Sequence, residues 1–211
     1  MEAVKLTNVE KTINEENILN NVNITIEQGE IVGFEGRNGS GKSVLFKLIS
    51  GIMLPTSGTV EVLGEILKKG NFPRDIGISL DNTGFLPTLS AFENLKVIAD
   101  IRGIIGTQEI KEYIELVGLN PESKKKVGKF SVGMKQRLAF AQAIMESPQL
   151  LLLDEPFSGL DEDGVEFVRK LILQLNKEKG VTVLITSHIK EDIEVLCSKT
   201  YHIASGKVKM V

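Results

Sequence analysis

The chain has 211 residues, of which 42% are hydrophobic and 25% charged, with one cysteine, no tryptophan and a formal net charge of −3. This length and composition predict a single globular domain with its own core, and they exclude a disordered chain or a disulfide scaffold. The slightly acidic balance argues against broad binding to nucleic acids or anionic membranes. Because no apolar run is long enough to span a bilayer, we expect a cytoplasmic protein that reaches a membrane only through a partner.

Hydrophobic periodicity predicts an alternation of strands and helices, interrupted by a block of helices. In chain order the pattern predicts strands at 4–9, 22–27 and 30–35, a helix at 42–50, strands at 58–63 and 76–80, helices at 90–102, 107–117 and 131–145, a strand at 150–153, a helix at 166–179, a strand at 181–186, a helix at 190–196 and strands at 199–204 and 207–211. The predicted class is α/β, with a mainly parallel sheet in the core, an N-terminal antiparallel β subdomain and an inserted α-helical subdomain. We expect residues 1–81 and 147–211 to form the core with its antiparallel sheet, and residues 82–146 to form the helical subdomain.

A glycine-rich segment between a predicted strand and a predicted helix has the pattern and context of a phosphate-binding loop, the P-loop of nucleoside triphosphatases. Its residues are Gly36, Arg37, Asn38, Gly39, Ser40, Gly41, Lys42 and Ser43. The glycines allow backbone N–H groups to point at phosphate oxygens, and the helix N-terminus adds a favourable dipole. We expect Lys42 to reach the β- and γ-phosphates of ATP and Ser43 to ligate Mg²⁺.

Two adjacent carboxylates follow a run of four leucines, Leu150 to Leu153. Such a run is typical of a strand buried on both faces of a parallel sheet. Ligands of open α/β sheets bind beyond the carboxyl ends of the strands, which is where Asp154 and Glu155 are expected. We therefore predict that Asp154 holds Mg²⁺ and that Glu155 orients or deprotonates the attacking water.

Three further segments, in this order and spacing, resemble motifs of the ATP-binding cassette (ABC) family. Residues 130–137 (FSVGMKQR) resemble the family's signature sequence, Ser158-Gly159-Leu160-Asp161 its D-loop, and His188 its switch histidine. The resemblance implies a homodimer or pseudo-dimer that sandwiches two ATP molecules head to tail. Ser131 and Gly133 would then contact the γ-phosphate bound to the other copy, Asp161 would belong to the nucleotide-binding residues, and His188 would sense the γ-phosphate. For Ser131, a plain helix cap is the alternative.

The chain departs from the family pattern at two places. The family usually has a glutamine after the strand predicted at 76–80, and Asp81 stands there; we expect it to join the Mg²⁺ shell. This stretch is similar to exporter ATPases of the bacitracin and lantibiotic self-protection group. The family also carries an adenine-stacking aromatic residue near Ile13, whereas no aromatic residue precedes Phe34. We expect Ile13 to contact the purine through apolar surface alone.

The resemblance implies the ATP-hydrolysing subunit of a transporter, with polytopic permease subunits on separate chains and the ATPase on the inner face of the membrane. The Asp81 segment favours export of a peptide or drug. The alternative is a soluble, non-transport ABC-type ATPase. A P-loop GTPase is disfavoured because Asn176-Lys177-Glu178-Lys179 lacks the aspartate of the guanine-reading motif.

Overall fold

The computed structural model describes residues 1–80 and 84–211. Its strands are β1 (Glu2–Ile13), β2 (Glu16–Glu27), β3 (Ile31–Glu35), β4 (Ser57–Val62), β5 (Glu65–Ile66), β6 (Ile76–Ser79), β7 (Leu150–Asp154), β8 (Thr182–Ser187), β9 (Lys199–Ala204) and β10 (Lys207–Met210). Its helices are α1 (Lys42–Ile49), α2 (Ala91–Arg102), α3 (Thr107–Leu116), α4 (Val132–Ile144), α5 (Glu162–Lys179) and α6 (Lys190–Leu196), and a 3₁₀ turn covers Val127–Lys129. None of the helices within these ranges combines the length and the apolar character that a membrane crossing requires.

The core is a six-stranded sheet in the order β10-β9-β3-β8-β7-β6. Strand β3 runs parallel to β8 and β9, β7 runs parallel to β6 and β8, and β10 pairs antiparallel with β9. All of β7 and β8 is buried, which explains the continuous apolar run in β7. The predicted α/β class with a mainly parallel sheet is confirmed.

A second, antiparallel sheet has the order β2-β1-β4-β5. Its inner face packs with α1 and with one face of the core sheet into a shared apolar cluster that includes Leu6, Phe34 and Phe46. Helices α2, α3 and α4 come between β6 and β7 in the chain, and α4 packs against β6. A second cluster joins these helices to α5, α6 and the other face of the core sheet. Strands β3 and β7 contribute side chains to both clusters, so each is packed on both faces of the sheet.

Several element boundaries differ from those predicted. Strands β1 and β2 are longer than expected and form one hairpin, whose two-residue turn at Asn14 and Glu15 takes positive φ angles of 47° and 67°. Helix α5 begins at Glu162 rather than at residue 166, because Asp161 caps it by accepting a 2.9 Å hydrogen bond from the Gly164 N–H. The short strand β5 was not predicted.

Candidate active site

The glycine-rich segment forms a tight loop between β3 and α1. Gly41 is the N-cap of α1 with φ 108° and ψ 4°, a conformation that side chains with a Cβ rarely adopt. A Cβ added to Gly36 would lie 2.5 Å from the Ile203 carbonyl oxygen, so the loop also passes close to β9. Backbone conformation and close packing therefore both require glycine in the segment that opens α1.

A cavity of about 480 Å³ lies at the carboxyl ends of the core strands. Its lining residues are Ile18, Asn38, Gly39, Ser40, Gly41, Lys42, Ser43, Val44, Asp154, Glu155, Ser158 and His188. The fold thus brings together side chains from β2, the β3–α1 loop, the end of β7 and the segment after β8. Gly36 and Arg37 line the neighbouring opening, together with Glu35, Lys190 and His202.

Lys42 lies at the bottom of the loop and is only 6% exposed. Its ammonium group donates to the Gly36 carbonyl oxygen at 2.7 Å and to the Arg37 carbonyl oxygen at 3.4 Å. The same nitrogen lies 3.9 Å from Glu155 Oε1. A buried cation thus faces the carboxylate across the cavity, where it can interact with bound phosphate.

The Glu155 carboxylate is held in one orientation from several sides. Its Oε2 lies 2.7 Å from His188 Nδ1 and accepts from the His188 backbone N–H at 3.3 Å. The backbone N–H of Glu155 donates to Thr186 Oγ1 at 2.9 Å. Glu155 itself has a left-handed backbone conformation, with φ 49°. Such a conformation in a non-glycine residue costs about 1–3 kcal/mol and persists only where the surroundings enforce it.

Asp154 is buried, with 5% of its surface exposed, and directly precedes Glu155. Its Oδ1 accepts a short hydrogen bond from Thr186 Oγ1, whereas its Oδ2 has no hydrogen-bond partner among the described residues. A buried carboxylate oxygen without a donor, in the cavity that Ser43 also lines, fits the oxygen-ligand preference of Mg²⁺. Within residues 1–80 and 84–211, no three His, Cys, Asp or Glu side chains cluster as a metal site. This is compatible with Mg²⁺, which usually takes one or two carboxylates together with substrate phosphates and water.

Ser131, Gly133 and Asp161 lie in a different cavity of about 670 Å³. Its lining residues are Gly118, Leu119, Asn120, Ser131, Val132, Gly133, Met134, Arg137, Gly159, Leu160 and Asp161. None of them lines the first cavity. The Ser131 hydroxyl accepts from the Met134 backbone N–H at 3.2 Å, so Ser131 is the N-cap of α4. Within one chain, the signature segment is therefore separate from the phosphate-binding loop.

Two predicted site residues have other outcomes. Ile13 ends β1 beside the hairpin turn and is not among the described residues that line the first cavity; Ile18 of β2 lines it instead. The prediction for Asp81 falls outside the described residues, and it stays a prediction.

Residues that contact the site but were not predicted for it include Ile18, Thr186 and Gln136. Thr186 is a buried polar residue near the carboxyl end of β8, next to the Asp-Glu strand, and a hydroxyl at that position is a signal that could have revealed it. Gln136 lies within the segment 130–137 that resembles the signature sequence, but its contact with the residues after β7 was not predicted. The sequence offers no comparable signal for Ile18.

Comparison with known proteins agrees with this geometry. Residues 19–158 match the sequence profile of the family described as "ABC transporter". The chain is 43% identical over 207 residues to YybJ, an ABC transporter ATP-binding protein of Bacillus subtilis strain 168, covering 98% of this chain and 94% of that protein. It is 43% identical to the bacitracin transport ATP-binding protein BcrA of Bacillus licheniformis, covering 97% and 68% of the two chains. It is 36% identical to the lantibiotic transport ATP-binding protein SrtF of Streptococcus pyogenes, and the match covers 97% of this chain and 88% of that protein.

Solved structures with the same fold include the bacterial ABC transporter cassette MJ0796, described as dimeric. It superimposes with a TM-score of 0.87 at 28% identity, covering 98% of this chain and 96% of that one. A second dimeric structure of MJ0796, in a post-hydrolysis state bound to ADP and Pi, matches with the same TM-score, identity and coverage.

Proposed function

Because the chain belongs to the ABC transporter family and is an ATP-binding, ATP-hydrolysing subunit of that family, we propose that it hydrolyses Mg·ATP in the first cavity to drive export of a peptide or drug through separate membrane subunits. One observation carries the catalytic part of this proposal. The phosphate-binding loop, Lys42, Glu155 and His188 converge on one cavity, and the carboxylate is hydrogen-bonded in a fixed orientation.

Each residue has a role that follows from its position. Backbone N–H groups of the loop and the Lys42 ammonium would bind the β- and γ-phosphates. Ser43 and Asp154 would hold Mg²⁺, which neutralises developing charge on the phosphate oxygens. Glu155 would accept the proton of the attacking water, and His188 would keep the Glu155 carboxylate directed toward the phosphate.

The second cavity is the reason to propose a dimer. Ser131 and Gly133 share no cavity with the phosphate-binding loop, so they reach the γ-phosphate only of ATP bound to another copy. Their position at the start of α4 suits them to an anion, because the helix N-terminus carries partial positive charge. Asp161, at the start of α5 in the same cavity, would lie at this interface.

The transported substrate is proposed from the relatives. BcrA and SrtF are described as bacitracin and lantibiotic transport proteins, and both are similar to this chain over almost its whole length. We propose the same substrate class, peptide antibiotics, and a cassette bound to the inner face of the membrane by a polytopic permease. A non-transport role finds no support in these relatives.

The dimer is tested with Glu155→Gln, which keeps the shape of the side chain but removes the base. We expect light scattering to report a dimer with Mg·ATP and a monomer without it. The double variant Glu155→Gln/Ser131→Arg should stay monomeric. The long arginine side chain then occupies the surface that would contact ATP on the other copy, while the P-loop is unchanged. If Glu155→Gln stays monomeric at high protein concentration with Mg·ATP, the proposed contact of Ser131 and Gly133 with ATP on another copy is contradicted.

The transport role is tested in the native host, with strains that carry the gene for either the wild-type chain or Glu155→Gln. We expect higher resistance to bacitracin or a lantibiotic with the wild-type chain than with Glu155→Gln. Equal susceptibility of the two strains, with ATP hydrolysis intact in vitro, would contradict peptide export and leave the ATPase assignment standing.

A further inference from the structure

The side chain of Gln136 on helix α4 is hydrogen-bonded to the backbone directly after β7. Its Nε2 donates to the Pro156 carbonyl oxygen at 3.0 Å and lies 3.5 Å from the Glu155 carbonyl oxygen. The contact is half-buried and joins residues 20 positions apart in the chain. It therefore links the helix that begins at the signature segment to the backbone that carries the proposed base.

The backbone at Glu155 needs such support because of its left-handed conformation. The Thr186 hydroxyl fixes the Glu155 N–H from the β8 side, and the Ser158 N–H donates to the Glu155 carbonyl at 3.1 Å. Pro156 has no N–H of its own, and Gln136 is the only donor to its carbonyl oxygen within the described residues. The Glu155–Pro156 segment is thus held by β8 on one side and by α4 on the other.

We propose that Gln136 is a positioning residue for Glu155 and that it couples the start of α4 to the base of the same chain. The inference rests on the proposed function, in which Ser131 and Gly133 contact ATP bound to the other copy. When Ser131 and Gly133 make that contact, α4 shifts, and Gln136 moves the Pro156 carbonyl group to which it is hydrogen-bonded. The backbone of Glu155 moves with Pro156, and this changes the direction of the Glu155 carboxylate. Each chain thereby aligns its own base in response to the nucleotide held by its partner.

The test compares Gln136→Leu with Gln142→Leu in the full chain. Gln142 lies on the same helix, and its side-chain oxygen has no hydrogen-bond partner among the described residues, so it is a matched control. We expect Gln136→Leu to lower kcat for ATP about ten- to a hundredfold, as small misplacements of catalytic groups do, with KM changed by no more than about twofold. Gln142→Leu should retain wild-type kcat. Gln136→Glu, which keeps the shape but cannot donate when ionised, should resemble Gln136→Leu.

Two further measurements separate positioning from a general structural effect. Thermal unfolding of Gln136→Leu should stay within a few degrees of wild type, since one part-buried hydrogen bond contributes about 1 kcal/mol. The double variant Glu155→Gln/Gln136→Leu should still dimerise with Mg·ATP, because Ser131 and Gly133 are intact.

The outcomes are distinct. Wild-type kcat in both Gln136 variants, or loss of kcat only in parallel with unfolding, overturns the positioning role. If Glu155→Gln/Gln136→Leu no longer dimerises with Mg·ATP, Gln136 belongs to the dimer contact, and the positioning role is overturned as well. Absence of hydrolysis in the wild-type chain overturns the proposed function, and the positioning role with it.

Discussion

Replacing Thr186 with valine should remove one hydrogen bond from each of the two acidic residues, Asp154 and Glu155. The Thr186 hydroxyl is fully buried; it donates to Asp154 Oδ1 and accepts the Glu155 backbone N–H. Valine has nearly the same shape but makes neither hydrogen bond. Asp154 then has no donor among the described residues, because its other oxygen has none already.

The expected loss of stability follows from these two contacts. A hydrogen bond to a charged group contributes about 1.5–3 kcal/mol, and a buried N–H left without a partner costs about 1–3 kcal/mol. The added methyl group recovers about 0.8 kcal/mol through burial. We therefore expect Thr186→Val to lower the free energy of unfolding by roughly 2–5 kcal/mol. We also expect it to lower kcat about tenfold or more, because the backbone of Glu155, the proposed base, is no longer fixed.

Urea unfolding without nucleotide measures the stability change, and steady-state ATP hydrolysis measures the effect on the base. Thr182→Val is the matched control. Thr182 is equally buried on the same strand, but among the described residues its hydroxyl accepts only the Gly29 backbone N–H, at 3.0 Å, at the opposite end of the strand from the cavity. It should cost about 1 kcal/mol and leave kcat unchanged. Equal stabilities and equal kcat values for the two valine variants would refute the reasoning.

Two further predictions concern the start of α2 and the nucleotide base. Hydrogen bonds from Ser90 and from Lys126 lower the pKa of Glu93 from 4.5 to about 2. Because the folded state favours the ionised form of Glu93, this carboxylate stabilises the folded protein above about pH 4.5. That stabilisation is lost as the pH falls from about 4.5 through about 2. The difference in unfolding free energy between wild type and Glu93→Gln should therefore shrink over that interval, and a pH-independent difference would contradict the assignment. Because Ile18 lines the first cavity, where we propose that ATP binds, and Ile13 does not, Ile18→Tyr should tighten the binding of ATP and GTP about tenfold in calorimetry through base stacking. Tighter binding by Ile13→Tyr alone would place the base elsewhere.

The sequence alone was enough to predict the α/β class, the phosphate-binding loop and the position of the carboxylates at a strand end. These features depend on local rules: glycines where backbone N–H groups must face phosphate, a helix directly after them, and a leucine run that only a buried parallel strand accommodates. Asp154 and Glu155 lie beside the loop because parallel strands end at one edge of their sheet.

The remaining features depend on contacts between distant parts of the chain. Thr186 is 31 residues from Glu155, and Gln136 is 20 residues from Pro156. No periodicity encodes which hydroxyl or amide will meet which backbone group after packing. The β1–β2 hairpin similarly placed Ile18, rather than Ile13, at the cavity, since the register of the paired strands decides which side chains reach the loop. Local physics thus specified the groups that we propose bind phosphate and carry the chemistry, and long-range packing specified the groups that contact them.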